Sequence, residues 1–68
     1  WFFRDLREDL GVNQAAVAKA AGVTQVKISE FERGTDKPTP DQRRTIVDFL
    51  VRRAAVRGLE ILILERRP

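Results

Sequence analysis

The chain has 68 residues, no cysteine and no histidine, and 13 Lys and Arg against 10 Asp and Glu leave a net charge of +3. That is enough for one small domain burying only about 60% of its unfolded surface, and it excludes disulfides, zinc sites of the Cys/His type and His-based acid-base chemistry. An isoelectric point near 10.2 favours a polyanionic partner, and the absence of cysteine fits a reducing, cytoplasmic compartment.

No apolar run approaches the roughly 18 residues of a membrane span, and no signal-peptide pattern opens the chain. A soluble protein without membrane contact is expected. The chain starts on Trp1 rather than Met, which predicts a fragment of a longer polypeptide with partners outside it.

Phe2, Phe3, Leu6 and Leu10 recur on one side of a first helix that Gly11 can close. Asn13 reads as the N-cap of a second helix from Gln14 to about Ala21. After a Gly22-Val23-Thr24 turn, Thr24 caps a third helix, Gln25 to about Arg33, which Gly34 ends. Thr35 to Pro38 is a loop of turn-forming residues. Thr39-Pro40-Asp41-Gln42 then supplies an N-cap, a proline at the first helical position, a first-turn acid and a capping-box glutamine. This predicts a fourth helix burying Ile46, Phe49 and Leu50. Arg52 to Arg57 extends it or begins a fifth, and Gly58 can end it. The short Ile-rich run Leu59 to Glu65 favours a strand over a continued helix. One strand cannot satisfy its own backbone, so its partner would be the same segment of a second subunit. A helix there would also point to a dimer, because a core this small cannot cover its apolar surface.

Gln14 to Arg33 carries most of the information. Ala18 is small enough for a second helix to pass closely over the first, and Gly22 can take the positive φ of a sharp turn. Val17, Ala21, Val23, Ile28 and Phe31 supply the apolar wedge beneath the corner. Together these make a helix-turn-helix pattern. From Leu6 to Pro38, LREDLGVNQAAVAKAAGVTQVKISEFERGTDKP, the chain resembles the lambda-repressor-like family, also called Cro/C1 or XRE proteins. Gln14, Ala18, Gly22, Ile28, Glu32, Gly34 and Pro38 fall in one ungapped frame. The expected fold is all-α, a four- to five-helix lambda-repressor-like domain over residues 2–57, with an apolar dimerisation segment at 58–66 and a possible terminal dimerising strand. The dimerising residues would be Leu59, Ile61, Leu62, Ile63 and Leu64.

A recognition helix reads base edges from its N-terminal, solvent-facing side. With Ile28 and Phe31 inward, the outward set is Gln25, Val26, Ser29, Glu30 and Arg33. The Gln25 carboxamide can donate to and accept from adenine at once, Val26 can meet a thymine methyl, Ser29 can hydrogen-bond, and Glu30 can accept from cytosine N4. No Lys or Arg stands at the first exposed positions, so guanine reading is not evident there. Gln14, at a helix N-terminus, can hold a phosphate. The resemblance implies that it also bridges to the base-reading Gln25. Asn13, Thr24, Lys27, Arg33 and Lys37 are further phosphate candidates; each could equally be solvated surface. The resemblance also implies a partly buried ion pair between Arg7 and Glu32, a structural role for both. Arg52, Arg53 and Arg57 form either a solvated face or a flanking phosphate clamp.

The expected function is sequence-specific binding of double-stranded DNA by a homodimeric transcriptional regulator, a repressor or the autoregulating antitoxin of a toxin pair. The alternative is a helix-turn-helix adaptor for protein contacts within a larger assembly, with a toxin or other protein as partner. No enzyme, cofactor or metal site is expected. Ser29 and the threonines have no His partner, and the carboxylates are scattered.

Overall fold

The computed structural model describes residues 3–65, and side chains as far as Leu62. Phe2, expected on the inner side of the first helix, and the side chains of Ile63 and Leu64 lie outside the described set. Four helices follow in order: α1 Phe3–Asp9, α2 Gln14–Ala21, α3 Gln25–Arg33 and α4 Pro40–Glu65. No strand occurs among the described residues.

The starts and stops are set by local chemistry. Asn13 Oδ1 accepts from the Ala16 N–H at 2.8 Å and Thr24 Oγ1 from the Lys27 N–H at 3.2 Å, each satisfying a helix N-terminal donor. At the start of α4 the capping box is reciprocal. The Gln42 N–H donates to Thr39 Oγ1 at 3.2 Å and the Thr39 N–H to Gln42 Oε1 at 2.9 Å. Gly22 ends α2 at φ 70°, ψ 30°. Beyond it the Val23 N–H reaches back to the Ala18 carbonyl at 3.0 Å, which closes the helix and turns the chain onto α3. Equivalent bonds end α1 and α3, from Val12 to Arg7 and from Thr35 to Glu30.

The core gathers Phe3 from α1, Val17 and Ala18 from α2, Ile28 and Phe31 from α3, and Ile46 and Leu50 from α4. Burial of each large member contributes about 1.5–3 kcal/mol. Val12 belongs to this core as well. It stands in the α1–α2 turn, outside any helical periodicity, which is why the apolar pattern alone does not reveal it.

The strand expected over residues 59–65 is corrected: those residues continue α4, and Gly58, expected to end the helix, lies inside it. The physical reason is backbone accounting. With no second strand among the described residues, an extended segment would leave a row of N–H and C=O groups unpaired, whereas a helix pairs them internally. Leu, Glu, Arg and Ala all favour that outcome. At 26 residues α4 is about 39 Å long. Leu50 is the last buried residue among its described side chains, and every side chain from Val51 to Leu62 is exposed.

Candidate nucleic-acid interface

α2 and α3 pack against each other and α4 backs α2, so α3 is fixed along one side and open along the other. Ile28 and Phe31 anchor it in the core. Gln25 and Val26 in its first turn and Arg33 at its end are exposed, and Ser29 and Glu30 are half-buried between them. Those five side chains share the outer face.

Behind α3 lies the Arg7–Glu32 pair. The Arg7 guanidinium donates from Nε to Glu32 Oε2 at 2.7 Å and from Nη2 to Oε1 at 3.0 Å, with Nη1 bonded to the Val12 carbonyl at 2.9 Å. The side chains are only 10% and 3% exposed. Burial alone would push the Glu32 carboxyl up. Hydrogen bonds from Arg7 and Gln14, together with the charge of Arg7, outweigh it and hold the carboxyl below its ordinary value. This pair ties α1 to α3 across the domain and gives the carboxylate on α3 a structural partner.

Gln14 joins the same network, its Nε2 donating to Glu32 Oε1 at 3.0 Å. No hydrogen bond links Gln14 to Gln25 among the described residues of the free chain. Gln14 has one amide N–H left as a donor. Asn13 and Thr24 use their side-chain oxygens as caps, which leaves the Asn13 NH2 and the Thr24 O–H as their remaining donors.

Both flanks of α3 carry paired charges. On one, Arg4, Gln14, Ser29 and Arg33 line a shallow depression in front of the Arg7–Glu32 pair. Arg4, which the sequence reading did not single out, pairs with Glu8 at 3.3 Å; the i,i+4 spacing was the available signal. On the other flank Lys27 contacts Asp36 and lies 3.7 Å from Glu30. The hydrogen bond from Lys27 draws the Asp36 carboxyl below its ordinary value, and Asp36 in turn raises the Lys27 ammonium. Asp36 was legible only as a turn residue. Lys37 is exposed in the following loop.

The helix-turn-helix domain family matches residues 1–58. The chain belongs to that family. The helix-turn-helix domain is a DNA-binding fold, and the four helices of this chain agree with the lambda-repressor-like frame read from Leu6 to Pro38. No curated protein and no solved structure is significantly similar to it. No helix of the domain is long and apolar enough, among the described residues, to cross a membrane.

Proposed function

We propose that this helix-turn-helix domain binds double-stranded DNA sequence-specifically, with α3 in the major groove, as a homodimeric transcriptional regulator. The observation that carries the reading is the division of α3. Ile28, Phe31 and the Arg7-bound Glu32 lock one side, while Gln25, Val26, Ser29 and Glu30 stand on the other as base-contacting candidates. Asn13, Gln14, Thr24, Lys27, Arg33 and Lys37 surround that face as phosphate candidates. The regulatory role is that of a repressor, including the autoregulating antitoxin form, because a bound dimer occludes a promoter without further machinery. Dimer contact is assigned to the exposed half of α4, where Leu59, Ile61 and Leu62 lie open to solvent; Ile63 and Leu64 extend the same run.

Selection from randomised duplex oligonucleotides is the direct test. A palindromic motif with half-sites about one helical turn apart is the expected result. Gln25→Ala should then relax preference at one or two positions by roughly 1–3 kcal/mol while weak nonspecific binding survives. Recovery of no motif, with only salt-labile binding, would shift the assignment to a protein-contact adaptor, for which the exposed apolar half of α4 is the supporting observation.

A further inference from the structure

Lys27, Glu30 and Asp36 form a charge cluster at the edge of the DNA-facing side of α3. We infer that Asp36 is a positioning residue that sets DNA affinity by holding the Lys27 ammonium away from the phosphate backbone. The inference rests on the reading of α3 as the DNA-contacting helix.

Asp36 is fixed from its own loop. One carboxylate oxygen accepts the Lys37 N–H at 2.8 Å, and its backbone N–H donates to the Glu30 carbonyl at 3.4 Å. The other carboxylate oxygen is thereby presented to Lys27 Nζ. Glu30 Oε2 approaches the same ammonium at 3.7 Å. Lys27 itself starts from a fixed point, since its backbone N–H is bound to the Thr24 cap. The result is one cation held between two carboxylates; Lys37 and Arg43 border the same depression as Asp36, and Arg4, Glu8 and Arg33 lie on the other flank.

A phosphate reaching this flank meets an ammonium already engaged and a carboxylate that repels it. Because Lys27 and Asp36 are both partly solvated, with side chains 44% and 37% exposed, their pairing is weak enough to compete with a phosphate. Asp36 therefore moderates a contact instead of forbidding it. The moderated contact is to the backbone, which carries no base information, so its removal should tighten all sequences alike.

Asp36→Asn keeps an oxygen for the Lys37 N–H and removes the charge. The 68-residue chain and this variant would be titrated with a selected duplex and with an unrelated duplex of equal length, from about 50 to 200 mM salt. Expected is a gain for both duplexes on the order of fivefold at low salt, a salt slope steeper by about 0.9, and an unchanged ratio between the two. In a Lys27→Gln background the same substitution should leave the slope unaltered, which separates release of Lys27 from simple loss of a negative charge. No gain, an equal gain and slope change without Lys27, or a changed sequence ratio would overturn the assignment of Asp36. Failure of the wild-type chain to bind either duplex at any salt would overturn the DNA reading of α3 and this inference with it.

Discussion

Arg7 and Glu32 show how one residue pair can fix the placement of a helix. The bidentate contact and the Gln14 and Val12 bonds satisfy both charges. Such a pair adds little over a hydrophobic isostere, but removing one partner strands the other and costs about 3–5 kcal/mol. A domain of this size has roughly 3–10 kcal/mol in total at about 0.05–0.15 kcal/mol per residue. Glu32→Ala should therefore melt far lower, by tens of degrees or with no cooperative transition, and calorimetry would show it. A variant that melts normally but changes base preference would contradict the structural role. The pH dependence has a definite sign. The folded Glu32 carboxyl lies below its ordinary value, so its contribution is complete above the unfolded pKa near 4.3 and is lost as pH falls through the folded one. The stability gap between the native chain and Glu32→Gln should be constant from neutral pH to about 5 and narrow in stronger acid. Urea midpoints across that range would measure it; a gap that widens in acid would exclude the pairing. Part of this was readable. The family frame implied Arg7 and Glu32, but nothing in the order of residues places Val12 and Gln14 on them, because the Val12 contact arises only when the α1–α2 turn folds back onto α1 and the Gln14 contact only when α2 packs against α3.

At the scale of elements, the local signals read well because capping is decided within a few residues. Asn13, Thr24 and Thr39 all cap as their side chains and neighbours dictate. Thr39→Ala removes the acceptor that holds the Gln42 N–H and should cost about 1 kcal/mol, or roughly 4–8 °C of melting temperature. Adding Gln42→Ala should cost less than the two changes measured separately, since both serve one reciprocal box. Strict additivity in a thermal double-mutant cycle would show that the two bonds act independently. The segment after Gly58 read poorly for the opposite reason. Leu59 to Glu65 is apolar at both odd and even positions, so periodicity does not choose between strand and helix, and the choice depends on whether a second strand exists elsewhere. Gly58 added a false stop: a helix interior tolerates glycine at a cost near 1 kcal/mol, and no neighbouring atom lies where its Cβ would stand.

For the whole molecule, the projecting half of α4 leaves apolar side chains open to solvent. Ile46 and Leu50 face the core, and one to three turns further the same side carries Arg53, Val56, Arg57 and Glu60, which border a depression shared with Leu10, Val12 and Asn13. Arg53 lies over the Phe49 ring at 5.3 Å, a cation–π contact that keeps it on that side. The opposite side presents Val51, Ala55, Gly58 and Leu62 at spacings of a two-helix seam. Val51 is 56% and Leu62 49% exposed. An uncharged stripe facing solvent on the side away from the domain is better suited to a second copy than to a monomer. The stripe runs only about three turns, so a helix pair there falls short of the roughly 1,600 Å² of a standard interface. Self-association should be correspondingly weak, in the micromolar range or above, and should be reinforced when two half-sites hold the subunits together. Sedimentation equilibrium should show a concentration-dependent monomer–dimer equilibrium without DNA. Leu62→Glu should abolish it and the cooperativity of binding to a paired site, while leaving the melting transition and single half-site binding unchanged, because Leu62 touches none of the core. A native chain that stays monomeric to millimolar concentration, or a Leu62→Glu protein that still dimerises, would remove α4 from the dimer and leave its apolar stripe to a different protein.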